Sequence, residues 1–411
     1  MSAAEIFAHR DFRRVMGAKL CSVIGGQMQA VAIGWHVLSL TGRPLDLGLV
    51  GLAQFAPAAL LSLVAGQVAD RVDRKRILIA YHLGTVLCAI ALVAIARGPS
   101  RDPGAIYLVA MALGVLRTFA GPANQALLPN LVPPEHFPRA VAWSSSVWQI
   151  AAIAGPALGG GLFALGELAV GTGFPLLYGV VAALAFAALL QISTIRVRTT
   201  IERKAVSFST VVAGVRYVFA NKIVLGSISL DLFAVLFGGA VALLPIYARD
   251  ILHVGPIGLG ALRSAPAVGA ALVALVVAYR PIGRRLGPIL FSSVALFGLA
   301  TIVFGVSRSF VLSLVALAVV GAADMISVVI RQLAVQLATP DEMRGRVSAV
   351  NLVFVGASNE LGEFESGVTA AWFGVEAAVV IGGLGTLLVV GSWVFLFPQL
   401  RRLDRLEELR T

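Results

Sequence analysis

Runs of about 20 apolar residues, each long enough to cross roughly 30 Å of hydrocarbon as a helix, recur along the chain between short polar or Gly/Pro-rich turns. About twelve such runs fit, over residues 15–40, 46–69, 76–97, 104–128, 140–165, 174–195, 223–250, 256–279, 287–306, 310–336, 346–372 and 376–398. Composition agrees: 58% of residues are hydrophobic and 13% are charged, where a soluble domain carries about a quarter charged. The expected fold is an all-α polytopic membrane protein with twelve transmembrane helices.

Charge sets the expected orientation. Assigning loops alternately to two sides leaves Arg43, Arg97, Arg101, Arg249 and Arg308 on one side and most other Lys and Arg on the side of the termini. Basic loops face the cytoplasm, so both termini are expected there, in a multi-pass protein of a bacterial inner membrane. The same rule accounts for the net charge of +11 without a nucleic-acid partner. Residues 1–14 are polar and basic, and no cleaved signal peptide is expected. Cys21 and Cys88 fall inside apolar runs and read as buried hydrophobes, with no metal or cofactor implied. The five histidines are scattered, and no phosphate-binding loop or His-Glu-x-x-His pattern appears. An enzyme is therefore not expected, and energy for any transport would come from an ion gradient.

The longest and most charged loop, 196–222, divides the chain into expected six-helix bundles at 1–195 and 223–411, related by pseudo-symmetry. Its second part, Phe208 to Phe219, has the pattern of an interfacial amphipathic helix. A shift of 207 positions superimposes Arg139 on Arg346, Ala142 on Ala349, Gly155 on Gly362 and Gly160 on Gly367. These matches fall on the fifth and eleventh runs, as two parallel repeats would place them.

Between the second and third runs, Gly66-Gln67-Val68-Ala69-Asp70-Arg71-Val72-Asp73-Arg74-Lys75-Arg76 packs a strongly basic turn. Orientation alone explains Arg74 and Lys75, but an aspartate near hydrocarbon calls for a specific partner, such as a helix N-terminus. The pattern resembles the signature loop of the major facilitator superfamily. That resemblance implies a fold of two six-helix bundles and a latch role for Gly66, Asp70, Arg71, Arg74 and Lys75, with Asp70 facing the start of the eleventh helix. Asp73 stands where that superfamily usually has glycine, and the corresponding loop after the eighth run, Arg280 to Arg285, has lost the aspartate.

Arg117, in the frame Gly114-x-x-Arg117-x-x-x-Gly121 about halfway across the fourth run, needs a cavity or an acidic partner. The frame resembles the superfamily motif tied to proton transfer; a structural arginine satisfied by carbonyls is the other reading. Gly155-Pro156-Ala157-Leu158-Gly159-Gly160 resembles the end of an exporter motif, although ordinary small-residue packing explains it equally. Asp231, Asp324, Glu360, Glu363 and Glu365 are the acids inside apolar runs. Glu360 and Glu363 share a helical face, and such carboxylates suit proton exchange. Some of these acids read equally as structural pairs, for example Asp324 with Arg331 on the same face. The 207-residue shift also places Arg117 opposite Asp324.

The segments Thr339 to Ala349 and Ser358 to Gly367, with Arg10-Asp11-Phe12-Arg13-Arg14, resemble the enterobactin-exporter branch of the superfamily, whose relatives also resemble macrolide-efflux proteins. The resemblance implies a monomeric secondary transporter that exports a siderophore or drug-like molecule by proton antiport with alternating access. It places Gln27, Gln29, Trp35, Phe119, Asn124 and Phe233 among the candidates for the substrate cavity. An importer or facilitator on the same fold, or a membrane sensor that transports nothing, are the alternatives.

Overall fold

The computed structural model describes residues 3–99, 102–196 and 208–405. Among them are twelve long helices: α1 (Arg10–Thr41), α2 (Pro44–Arg71), α3 (Arg74–Arg97), α4 (Gly104–Leu127), α5 (Phe137–Val170), α6 (Phe174–Ser193), α7 (Lys222–Phe237), α8 (Gly255–Tyr279), α9 (Leu286–Val306), α10 (Phe310–Leu337), α11 (Asp341–Phe373) and α12 (Val375–Leu396). In hydrocarbon no water satisfies the backbone, so each apolar run closes its own hydrogen bonds as a helix. Eleven spans among the described residues are long and apolar enough to cross a membrane. α11 is the exception, because Glu360, Glu363, Glu365, Asn351 and Asn359 stand where its neighbours carry Leu and Val.

Helix ends follow local chemistry. Gly42 and Gly171 close α1 and α5 at φ 66° and 73°, a conformation a Cβ would penalise. Asp73 caps α3 by accepting from the Lys75 amide at 2.9 Å, and Asn221 caps α7 through the Ile223 and Val224 amides. α5 runs for 34 residues, further at both ends than residues 140–165. The apolar run 223–250 is not one helix: α7 stops at Phe237, Gly238 and Gly239 break it, and a 3-10 segment (Ala240–Leu243) and a π turn (Tyr247–Ile251) carry the chain on.

The described chain divides into two compact units. The N-terminal unit comprises Met1–Gly42, Ala53–Ala205 and Val254–Ser264, and the C-terminal unit comprises Arg43–Leu52, Val206–His253 and Ala265–Thr411. In the first, α1 packs on α5 and α6, and α3 packs on α4 and α6. In the second, α7 packs on α11 and α12, and α9 packs on α10 and α12, so the pairing repeats. Each unit has its own apolar core, one around Phe12, Leu78, Leu127 and Ile192 and the other around Leu230, Leu290, Ile330 and Leu400. The amphipathic run forms a helix, Phe208–Ala220, whose Val218 joins Val224, Ile228, Val335, Val347 and Val350 in a further cluster of the C-terminal unit. Residues 197–207 of the central loop lie outside the described residues.

Candidate functional site

The C-terminal unit holds a seam of ionisable groups. Asp231 on α7 and Arg331 on α10 are both buried and form an ion pair, the guanidinium Nη1 donating to Oδ2. Arg331 sits seven residues beyond Asp324 on one face of α10, but it reaches across to α7 instead of pairing along its own helix. The pairing expected with Asp324 is thus made with Asp231. Two groups seven residues apart are about 10 Å apart along a helix axis, too far for a direct bond between them without strain. The Nε of Arg331 is buried without a hydrogen-bond partner.

A void of about 10 Å³ lies between Asp231 and Asp324, walled by Ala234, Val294, Phe297 and Ser327. That is room for about one water molecule. On its other side Asp324 borders a second cavity of about 210 Å³, which Asn359 and Glu363 of α11, Phe297, Thr301 and Phe304 of α9 and the Gly238-Gly239 break also line. Asp324 therefore stands where the two voids meet. The break is held open by close packing: a Cβ at Gly239 would stand 2.7 Å from the Gly362 carbonyl oxygen, and Ser366 donates to the Gly239 carbonyl at 3.0 Å.

The first residues of α2 belong to this unit and lie on α11. A Cβ at Gly51 would stand 2.9 Å from the Cβ and 3.0 Å from Oε2 of Glu363, and 3.3 Å from the Glu360 carbonyl oxygen. A Cβ at Gly48 would be 3.1 Å from Cα of Gly367. Glu365 accepts from Thr369 at 2.7 Å.

In the N-terminal unit the small residues of α5 meet two helices. Gly155 faces Gln27 and the Ile24 carbonyl of α1, a Cβ at Gly159 would stand 3.2 Å from Met28 Cα, and Gly160 sits against the Pro256 carbonyl. Ser264 of α8 donates to the Ile153 carbonyl at 2.7 Å, in the turn that Pro156 interrupts. On α4, Gly114 lies against the Gln54 backbone of α2, while Arg117 and Asn124 are exposed and a Cβ at Gly121 would meet open space. These three share a helical face, so this stripe of α4 is polar and open.

Of the other aromatic and amide candidates, Trp35 packs edge-on against Phe163, and Phe119 packs on the N-terminal core. Phe233 packs against Trp393, and the buried Gln29 leaves its Nε2 without a hydrogen-bond partner. In the basic turn, Arg74 donates to the Ala126 carbonyl at 2.8 Å and Lys75 to the Ile195 carbonyl at 2.6 Å, tying it to the ends of α4 and α6. Arg71 is exposed, a Cβ at Gly66 would touch nothing, and the side chain of Asp70 lies outside the described residues.

Sequence reasoning passed over Lys19, a cation inside α1 that donates to the carbonyl and hydroxyl of Ser144 at 2.9 and 2.5 Å, and Arg263 inside α8. Their signal was plain, a cation within an apolar run. It also passed over Phe297, Thr301 and Asn359, which only the cavity brings together; the Gly238-Gly239 doublet in mid-run was the available hint.

Residues 1–410 match the family described as transmembrane secretion effector. The chain belongs to that family. A transmembrane secretion effector chain is a multi-pass membrane transporter, not an enzyme. It is 25% identical over 402 residues to the enterobactin exporter EntS of Shigella boydii, covering 96% of this chain and 93% of that one. Among solved structures, a bacterial homologue of the human lysosomal transporter Spinster, inward-facing and unoccupied, superimposes with a TM-score of 0.75 at 14% identity, covering 98% and 99% of the two chains. A D-xylose-proton symporter superimposes with a TM-score of 0.69 at 12% identity, covering 97% and 99%. The fold of this family member is that of the major facilitator superfamily, as the basic turn and the twelve apolar runs implied.

Proposed function

We propose that this transporter exports a small organic molecule, siderophore or drug-like, from the cytoplasm in exchange for protons by alternating access. Export is supported by the full-length similarity to an enterobactin exporter. Proton exchange is supported above all by the position of Asp324 between two voids, with Asp231 beyond one and Glu363 beyond the other. Intramembrane carboxylates are costly and mark proton relays and ion paths by default.

In this reading Asp324 takes and releases the proton, and the Asp231–Arg331 pair fixes the charge beside it. Glu360 and Glu363 respond to the movement of α2 against α11. Arg117 and Asn124, with Gln27 and Trp35, face the substrate path. Gly155, Pro156, Gly159 and Gly160 are the packing surface on which helices move, and Asp70 with Arg71 latches the basic turn on the cytoplasmic side. The bundles are divided by the loop 196–222, the chain works as a monomer, and both termini are cytoplasmic, since the Lys/Arg bias lies on their side.

The test is transport in inside-out vesicles with an imposed pH gradient, across siderophores and lipophilic drugs, read by proton release. Uptake of at least one compound with matching proton movement supports the proposal. A folded protein that moves none of them under the gradient overturns it.

A further inference from the structure

Ser327 of α10 is buried, and it lines the smaller void together with Asp231 and Asp324. A serine inside a helix commonly donates to a carbonyl of the preceding turn. Ser227, Ser293 and Ser358 of the same unit do so, at 3.0, 2.8 and 2.9 Å. Ser327 does not: among the described residues its hydroxyl has no hydrogen-bond partner. Asp324 is likewise acted on by the charges of Asp231 and Arg331 without a hydrogen bond to either. Buried polar groups are costly to leave unpaired, so two of them bordering one void call for a common partner.

The void fits that partner in size and in chemistry. Its volume of about 10 Å³ takes one water, and a buried water makes about three hydrogen bonds. Three polar walls are present. Asp324, Ser327 and Arg331 stand at i, i+3 and i+7 on one face of α10, opposite the Asp231 of α7 that Arg331 holds. Among the described residues the charged groups at this place are Asp231, Asp324 and Arg331; α9 brings only Val294 and Phe297, and Glu363 of α11 lines the larger cavity and not this void.

We infer that the void holds one ordered water bridging Asp231, Asp324 and the Ser327 hydroxyl, and that Ser327 is the positioning residue through which the proton on Asp324 is felt by the ion pair. The inference rests on the reading above in which Asp324 carries the proton. A hydroxyl suits the place because it both donates and accepts. With Asp324 ionised, the water donates one hydrogen to each carboxylate and accepts from Ser327. With Asp324 protonated, its own O–H donates to the water, which keeps its bond to Asp231 and gives its other hydrogen to the Ser327 oxygen. The serine hydrogen then turns to a carbonyl of the preceding turn, as those of Ser227 and Ser293 do. Every donor finds an acceptor in both states, and the proton on Asp324 is the only one gained or lost. Alanine in place of Ser327 supports neither arrangement, and the ionised state loses more, because hydrogen bonds that end on a charge are the stronger.

The experiment is an infrared pH titration of the full-length protein in lipid nanodiscs, in ordinary and in heavy-oxygen water. A carboxylic C=O band that disappears in Asp324→Asn marks the proton, and a water O–H band that moves in heavy-oxygen water marks the bridge. Ser327→Ala raises the midpoint of the C=O band by about one pH unit and displaces the water band. Ala234→Val fills the void from α7 with every polar group left in place; it abolishes the water band and raises the midpoint as well. A serine that merely packs would leave the midpoint where it was. No titrating band lost in Asp324→Asn, no band sensitive to heavy-oxygen water, or a midpoint unchanged in both void variants overturns the bridge. If vesicles exchange a compound for protons while the midpoint and the water band ignore both variants, the bridge falls and the exporter reading stands. If the bands behave as described but no compound moves, the bridge stands and the exporter reading falls.

Discussion

Two glycine-lined contacts occupy corresponding places in the two units and differ in chemistry. In the N-terminal unit, Gly160 of α5 meets Pro256 at the start of α8; in the C-terminal unit, Gly367 of α11, 207 positions later, meets Gly48 at the start of α2. Backbone approaches backbone in both, as small residues allow. Next to the first lie Pro156 and Ser264, whereas next to the second lie Glu360 and Glu363. The same contrast holds deeper in the membrane. The N-terminal unit carries Lys19, Arg117 and Arg263 inside its spans, and the C-terminal unit carries Asp231, Asp324 and the acids of α11 with Arg331. A duplicated architecture has thus kept its packing and divided its charges. Packing is the part that both halves need in order to fold, and charge is the part that one half can specialise.

The largest expected effect is in the acidic half. Arg331→Met strands the buried Asp231 and should destabilise the protein by about 3–5 kcal/mol. Asp231→Asn combined with Arg331→Met should recover most of that loss, because neither charge is left unpaired. Thermal unfolding in detergent checks both, and a double variant no more stable than the single one would remove the pair from the account.

Asp324→Asn comes next. It should lower proton-coupled transport in proteoliposomes on the order of 100-fold, as when a proton-transferring side chain is lost, with unfolding temperature nearly kept. Unchanged coupling would move the proton to α11. The glycine contacts then separate by what a methyl group would strike. Gly160→Ala meets the Pro256 carbonyl and should cost about 1–3 kcal/mol. Gly51→Ala meets the Glu363 Cβ at 2.9 Å, a wider approach than the 2.4 Å between a Gly160 Cβ and the Pro256 carbonyl oxygen, and should cost less. Equal losses would mean that the acidic contact is as rigid as the dry one.

The twelve helices were legible because apolar length alone dictates them, and α11 was legible despite its charge because its flanks were. The break in α7 was not. Gly238 and Gly239 sit in a run as apolar as its neighbours, and what opens the chain there is the approach of Gly362 and Phe297 from α11 and α9. Asp231 and Asp324 stood out as acids in hydrocarbon, but sequence could not tell which would take Arg331, since i,i+7 spacing marks a shared face without marking reach. The cavity was invisible for the same reason: its lining comes from α7, α8, α9, α10 and α11.

The two units also cap equivalent helices differently, and this gives the smallest effect. α3 is capped from its own chain by Asp73, at the position where a glycine was the expected residue. In the second half the loop from Arg280 to Arg285 offers no acid, and α9 is capped by the chain after α12: the Arg285 amide donates to Asp404 Oδ1 at 2.9 Å and the Gly287 amide to the Leu403 carbonyl at 2.8 Å. A carboxylate at either helix start satisfies an orphan amide and faces the positive end of the dipole. Asp73→Ala should therefore cost about 0.5–2 kcal/mol and Asp73→Gly only a few tenths, since glycine is itself tolerated at an N-cap. Asp404→Ala should cost about as much as Asp73→Ala, although 119 residues separate Asp404 from the amide it caps. It should also loosen the segment after α12, which chain-local Asp73 cannot do. Unfolding temperatures rank the three variants, and hydrogen exchange at the Arg285 and Gly287 amides reads the second effect. Equal protection of those amides in the wild type and Asp404→Ala would show that the C-terminal tail is held by its backbone bonds alone.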